Sequence, residues 1–512
     1  MFKPSSLHIL IQALSKSEKR HFRLYAKRNF GDKKVKFLDL FDCFDKQVEY
    51  NSAKIRARFS ETSVSALANL KSHLYEQLLV SLRLLKHNDA SIRIHELLSF
   101  ANVLYSKGLY LQSLEQLKRA RVFASVTQDD ISLYAIVEME RKLELFFVTE
   151  SGENRALEIV EMNEHLRTNL LVRDSWANVA LILYEYYLKY GHVKNELQFK
   201  KATTLFEEKI KNIAKGDGSI QGKIYYHMSY TWYYFITQNF AQCYRHAREW
   251  IELLESNKVL LNRDPIFYLK GIHNALSALY YSNKPRQFGE LFHRFNTFID
   301  ENLTNFDVST KILAEVYQHL AKLNYLFLQG AFRGNDQFIV ELNKWTNENQ
   351  AYLDQNRVQV FHYKIACLYF GTDDFKNCIL YLNKVIHDGV KEKYLRQDVQ
   401  CFSRILNLVA HYELGNDELV EYQLKSVYRY LIKFGDLQKV QKEIILFIRK
   451  TVHVQRSEMI PHFIELKEKL TTIVEDPYER RPLLYLDLIG WLTSRIKGVS
   501  VESIIQFRQK DR

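Results

Sequence analysis

The sequence predicts an all-α protein, a solenoid of stacked helix pairs. Three observations predict it. Glycine and proline are scarce, 17 and 6 in 512 residues, where average usage of about 7% and 5% would supply several tens of glycines. Hydrophobic residues make up 47% of the chain, enough for a large core, and they recur with a helical rather than an alternating period. A fixed spacing of small and large apolar residues also returns along the chain.

Glycine supplies positive φ in tight turns and proline is excluded from helix interiors, so depletion of both favours long helices joined by short turns. A chain this long exceeds the about 250–300 residues that one core serves, and must divide into domains or extend as a repeat array. Three segments are expected: a basic helical module over 1–92, the repeat array over 93–440 with a joint near 214–222 (around Lys215-Gly216-Asp217), and C-terminal helices over 441–512 that cap the array.

The first module reads as consecutive helices. Leu7, Leu10, Ile11 and Leu14 fall on one helical face, following i, i+3, i+4, i+7. Ser15-Lys-Ser-Glu18 is a capping box that opens a second helix around Phe22, Leu24 and Tyr25, closed by Asn29-Phe-Gly-Asp32. A third helix runs through Phe37, Leu40, Phe41 and Phe44, a short one covers 52–59, and a long one carries Leu67, Leu70, Leu74, Leu78 and Leu82.

The repeat is clearest at Ala366, Tyr369, Phe375, Cys378, Leu382 and Val385. The same spacing holds Ala101, Leu104, Tyr110, Ser113, Leu117 and Ala120, and again Thr231, Tyr234, Phe240, Cys243, Ala247 and Trp250. Small residues let two antiparallel helices approach, while large ones fill the groove between successive pairs. Looser copies are expected at 140–163, 272–298, 321–345 and 406–432, and helices at 173–190 and 197–213 form a further pair. This spacing resembles the tetratricopeptide repeat (TPR), although the repeat's tryptophan, Leu-Gly pair and closing proline are mostly absent. The whole chain also resembles a group of uncharacterised bacterial TPR-like proteins, through Leu14–Arg20 and Tyr485-Leu-Asp-Leu-Ile-Gly-Trp491. The resemblance implies a right-handed α–α superhelix, a TPR-like solenoid with a C-terminal capping helix, and implies no activity.

Several function classes lack their signatures. Five cysteines at 43, 243, 367, 378 and 401 form no CxxC pair, which speaks against a disulfide framework or a zinc site and for a reducing cytoplasm. No run of about 18 apolar residues occurs, and His8 and Gln12 interrupt the apolar start of the chain where a signal peptide would need continuity. Gly218-Ser-Ile-Gln-Gly222-Lys223 is one residue short of a phosphate loop, with Ile224 where a Mg²⁺-binding hydroxyl belongs. No HExxH and no GxSxG appear. No catalytic residue, cofactor or metal ligand is assigned, and no enzyme activity is expected.

Two surfaces remain as candidates. Tyr184, Tyr186, Tyr187 and Tyr190 crowd one helix, and Tyr225 to Phe235 another. Neighbours on a helix stand about 100° apart, so these rings cannot all face one core. Tyr184, Tyr187, Tyr230, Trp232 and Tyr234 are therefore expected to line a groove for a protein or peptide partner, aromatic residues being favoured interface anchors; the alternative is that they bridge adjacent pairs. The second surface is basic. Residues 1–90 carry 17 Lys/Arg against 9 Asp/Glu, +8 of the chain's +12, with Lys16, Lys19, Arg20, Arg23, Lys27 and Arg28 on one helix and Lys33, Lys34 and Lys36 after it. Such a surface fits nucleic acid, an acidic protein or plain solvent. The helices of this module admit a helix-turn-helix-like arrangement, without a specific motif for one. The C-terminal stretch Leu483, Leu484, Leu486, Leu488, Ile489 and Trp491 reads as an amphipathic cap, with a dimer contact as its rival. The expected protein is a cytoplasmic interaction scaffold without a membrane span. The alternative is a nucleic-acid-linked regulator whose array senses a partner. No motif specifies a partner's identity or an oligomeric state.

Overall fold

A computed structural model describes residues 4–30, 36–147, 154–213, 218–388, 397–434, 437–484 and 487–510. Gly31–Asp32, Lys33 and Lys34 of the basic run, Lys215-Gly216-Asp217 of the expected joint, and Tyr485 and Leu486 of the tail lie outside the described residues. Among those described, every regular element is helical, with 25 α-helices, short 3-10 stretches and no strand. The chain divides into two units, Met1–Leu166 and Arg167–Arg512.

In the first unit the helices are α1 (Pro4–Ala13), α2 (Lys16–Phe30), α3 (Lys36–Asp45), α4 (Ser52–Arg58), α5 (Val64–Leu85), α6 (Ala90–Ser106), α7 (Tyr110–Val126) and α8 (Asp130–Phe147). The capping box forms as its spacing predicts: Ser15 Oγ accepts from Glu18 N at 3.2 Å and Glu18 Oε2 from Ser15 N at 2.7 Å. Leu7, Phe22, Leu40, Phe41, Leu74 and Leu78 join one core of α1–α5, and Ile94, Ala101, Leu117 and Ile136 another. In the α6–α7 pair Ser113 Oγ donates to Ala101 O at 2.8 Å. The two small repeat positions thus touch, and both are fully buried.

The helix α9 runs without interruption over Arg155–Tyr190. The sequence reading divides this stretch between the loose repeat at 140–163 and a separate helix at 173–190. It contains neither glycine nor proline to stop it, and the hydroxyl of Ser175 donates back to Leu171 O at 2.7 Å within the helix.

In the second unit follow α10 (Glu196–Ile210), α11 (Ile220–Ile236), α12 (Phe240–Glu255), α13 (Lys258–Arg263), α14 (Pro265–Tyr281), α15 (Pro285–Asn302), α16 (Val308–Gln329), α17 (Asp336–Glu348), α18 (Gln355–Gly371), α19 (Phe375–Asp388), α20 (Gln397–Glu413), α21 (Asp417–Lys433), α22 (Lys439–Thr451), α23 (Met459–Ile473), α24 (Leu488–Lys497) and α25 (Val501–Lys510). From α10 to α16 and from α18 to α25 each helix packs on the next in sequence, and α12–α14, α14–α16, α16–α18 and α18–α20 also touch. Thr231, Cys243, Ala247 and Trp250, like Ala366, Cys378, Leu382 and Val385, are buried at their repeat positions. Where α14 crosses α12 the approach is close: a Cβ on Gly271 would stand 3.1 Å from Ile251 Cγ1 and 3.4 Å from the Trp250 ring.

One turn recurs across both units. Leu109 N bonds Leu104 O across Gly108, and the same six-residue bond closes Tyr234–Asn239, Leu279–Lys284, Tyr369–Asp374 and His411–Asn416. The penultimate residue of each, Gly108, Gln238, Asn283, Asp373 or Gly415, has positive φ. This is the Schellman end of a helix, which satisfies its last carbonyls and reverses the chain at once.

The C-terminal stretch is not one amphipathic helix. Pro477–Leu484 forms a 3-10 segment, since its prolines cannot donate to an α-helical ladder. The helix α24 starts afresh where Asp487 Oδ1 accepts from Gly490 N at 2.7 Å. Its Trp491 is fully buried and donates Nε1–H to Glu413 Oε1 at 2.6 Å, which also accepts from Arg495 Nε at 2.7 Å.

Two stability predictions follow from these contacts. Asn283 takes the left-handed conformation with no side-chain hydrogen bond to reward it, so Asn283→Gly should raise unfolding free energy by about 0.5–1 kcal/mol in a urea titration. Gln238→Gly should gain less or nothing, because Gln238 Nε2 donates to Val193 O at 2.9 Å. In the first unit the fully buried Glu140 faces the guanidinium groups of Arg121 and Arg155. Glu140→Gln leaves those cations without their shared anion and should cost about 2–4 kcal/mol in the same assay.

Candidate functional site

The first helices of successive pairs stand side by side in the second unit, and the stripe each leaves uncovered is turned toward a single cavity of about 1530 Å³. Its lining positions follow helical periodicity. The helix α9 contributes Ala177, Leu181, Tyr184 and Leu188; α11 contributes Tyr225, Met228, Trp232 and Phe235. From α14 come Lys270, His273, Asn274, Ser277 and Tyr280, from α16 Tyr317, Leu320 and Asn324, and from α18 Arg357, Val360, Lys364 and Cys367. Val501, Ile505 and Arg508 of α25 complete it. The C-terminal helix is held there by Glu502 Oε1, which accepts from Phe332 N at 3.1 Å, and by Gln506 Nε2, which donates to Gly330 O at 3.1 Å.

The cavity has two kinds of wall. Toward α9 and α11 it is apolar and aromatic, with Leu181 65% and Tyr184 41% exposed. Tyr184 and Tyr187 pack on Trp232 with ring centroids 4.9 and 5.5 Å apart. Toward α14, α16 and α18 it is polar and cationic. His273 stacks on Tyr317 at 4.1 Å with rings 8° from parallel. Burial, reinforced by Arg357 and Lys364, carries the His273 imidazole down to about 3, while burial carries the Tyr317 phenol up to about 12 against the pull of Arg357. Both are neutral at pH 7. Lys364 donates to Asn324 Oδ1 at 2.7 Å and stands 5.0 Å from the centre of the Tyr280 ring. Asn274 is 6% exposed and lines the cavity, and its amide makes no hydrogen bond among the described residues.

The structure separates the five aromatic residues that the sequence grouped. Tyr184, Tyr187 and Trp232 line the large cavity. Tyr230 and Tyr234, on the opposite side of α11, line a recess of about 780 Å³ with Tyr226, His227, Arg245 and His246. There Tyr230 stacks on His246 at 4.8 Å and 10°, and His227 Nδ1 lies 3.1 Å from His246 Nδ1. One of these nitrogens must carry the proton and the other accept it. Burial, then His227 and Arg245, bring His246 down to about 4.

In the first unit Lys19 reaches Asp45 at 2.7 Å, and Arg23 reaches Asp42 at 2.9 Å and Asp45 at 2.7 Å. Burial opposes the charge on Asp45, but hydrogen bonds from Lys19 and Arg23 prevail and hold its carboxyl below the usual range. These two cations serve the packing of α2 on α3. Lys16, Arg20, Lys27 and Arg28 are exposed and make no ion pair among the described residues, and all four fall within one face of α2.

Lys270, Asn274 and Arg357 escape a reading of the sequence for motifs. Their signal was present: Lys270, Asn274, Ser277 and Tyr281 recur at i, i+4, i+7 and i+11 on an otherwise apolar helix, a polar stripe that asks for a wet or liganded face. Among the described residues no group of three or more His, Cys, Asp or Glu side chains is placed to hold a metal ion, and no helix is long and apolar enough to cross a membrane. No family, curated protein or solved structure matches the chain.

The depressed imidazoles of His246, His273 and His319 (about 4, 3 and 4, each chiefly through burial) set a pH dependence. An unfolded chain takes up protons on them near pH 6.5 while the folded one does not, so stability is full above pH 6.5 and falls as pH drops toward 4. Imidazole Cε1–H shifts followed by NMR should stay at their neutral values down to pH 5 for these three, whereas a solvated histidine titrates near 6.5.

Proposed function

We propose that this chain is a non-enzymatic scaffold or adaptor that binds a peptide or protein segment in the cavity of its second unit, within a cytoplasmic TPR-like array of right-handed α–α pairs. The observation that carries this reading is the cavity itself. At about 1530 Å³ it exceeds the about 300–1,000 Å³ of a site for a drug-sized ligand. It also leaves leucine and tyrosine side chains uncovered, the kind of surface that anchors a partner. The repeat spacing and the recurrent Schellman turns support the TPR-like assignment.

Selection of a random dodecapeptide display library on the full chain tests the reading. Binders are expected, and Leu181→Arg or Tyr184→Arg should weaken them at least tenfold, about 1.4 kcal/mol, without a change in thermal unfolding. Binders indifferent to both substitutions, or none at all, would overturn it.

The unpaired face of Lys16, Arg20, Lys27 and Arg28 favours a second reading, a regulator that also contacts nucleic acid through its N-terminal module. In it, the full chain binds duplex or single-stranded oligonucleotides with an affinity that falls steeply with salt, and glutamate at these four positions abolishes binding. No binding by the native chain at 50 mM salt excludes this reading.

A further inference from the structure

The polar wall of the cavity carries a charge that its own residues do not balance. The lining cations are Lys270, Lys284, Arg286, Arg357, Lys364 and Arg508; the lining carboxylates are Asp354 and Asp487. Three of those cations are paired with carboxylates. Arg357 pairs with Asp354 at 3.2 Å and Arg508 with Asp487 at 2.7 Å. Arg286, at the mouth, pairs with Glu290 at 3.3 Å. Lys364 is held by Asn324, which leaves Lys284, exposed in the turn before α15, and Lys270 on α14. Lys270 is open to the cavity and has neither an anionic nor a hydrogen-bonding partner among the described residues. The surrounding protein, and after it the neighbouring Arg357, pull its ammonium below the usual lysine range. One turn along α14 is Asn274, which also lines the cavity and whose amide offers N–H donors that make no hydrogen bond among the described residues.

We propose that Lys270 and Asn274 form the anchor for the carboxylate of a single Asp or Glu residue in the bound segment, with the wall of Leu181, Tyr184 and Trp232 taking the apolar side chains that flank it. The proposal rests on the reading of the cavity as a peptide site and names the occupant's chemistry. A carboxylate brought to Lys270 does three things together: it balances the ammonium, offsets its repulsion with Arg357, and accepts from the open amide of Asn274. Charge-assisted hydrogen bonds of this kind are the strong ones. A nucleic acid strand fits less well. It needs cations repeated along its phosphates, whereas here Arg357 and Arg508 are held by Asp354 and Asp487, whose carboxylates would face the strand.

Sorting one random dodecapeptide library in parallel on the native full chain and on Lys270→Glu tests this. The native pool should be enriched in Asp and Glu, and the Lys270→Glu pool should exchange them for Lys and Arg. Changing the acidic residue of a native binder to Gln or Asn should weaken it about tenfold at 50 mM salt and much less at 500 mM. On Lys270→Met, which guards against a folding defect in the charge reversal, the acidic and amide peptides should bind equally. Pools of the same charge on both proteins, both lost with Leu181→Arg, would overturn the anchor and leave the peptide site standing. The absence of any pool would overturn the site as well. A single-stranded oligonucleotide that outcompetes the selected peptides and is lost in Lys270→Glu would overturn the anchor in favour of nucleic acid.

Discussion

The apolar surface of a single helix in the second unit is wider than one neighbour can cover. On α14 the buried positions Tyr268, Leu269, Gly271, Ile272, Ala275, Leu276, Ala278 and Leu279 cover about half the circumference. Its hairpin partner cannot hide them all, so α12, α15 and α16 each take a share. Each pair therefore buries part of its apolar surface against the next. What remains on each first helix is one narrow stripe without a neighbour. Side by side, the stripes of α9, α11, α14, α16 and α18 make the cavity wall.

The turns between paired helices have to be short for this to work, and the recurrent Schellman closure meets that need. It spends a residue in the left-handed region at every reversal. At Gly108 and Gly415 that conformation carries no steric penalty, while Gln238, Asn283 and Asp373 adopt it at some cost. Gln238 recovers part of the cost through its bond to Val193 O. Close helix approach is met by small residues in the same spirit: Ala101 against Ser113 in one pair, and Gly271 against Ile251 and Trp250 between pairs.

Because the stripes face the cavity and touch one another only at their edges, the side chains on them are less bound by the packing rules that govern the rest. Lys270, His273, Asn274 and Lys364 sit there at positions where a core would demand leucine or alanine. The cost is visible in the depressed His273 imidazole and Lys270 ammonium. Cations held in a partly desolvated concavity next to one another are unfavourable in the empty protein. The same arrangement strengthens attraction to an anion that enters.

Much of this was legible in the sequence wherever the determinant is local. The capping box at Ser15–Glu18 and the helices of the first module depend on residues within one or two turns of each other, and the contact of Ala101 with Ser113 on residues twelve apart across one tight turn. So does the chain reversal at Gly108. The uninterrupted α9 was less legible because polar residues around Asp174 imitate a break, and only the absence of glycine and proline argues for continuity. The aromatic cluster marks the limit. Periodicity alone shows that Tyr230 and Tyr234 share a face of α11 and that Trp232 lies opposite them, but both faces look equally aromatic. Which face opens on the large cavity depends on where α9 and α14 lie. The same holds for Lys270 and Arg357, far apart in sequence and brought within electrostatic reach by the packing of α14, α16 and α18. Composition and spacing determined that this chain is helical, paired and tightly turned. Tertiary structure alone decided which stripe of each helix stays uncovered, because an uncovered face is defined by the neighbours it lacks.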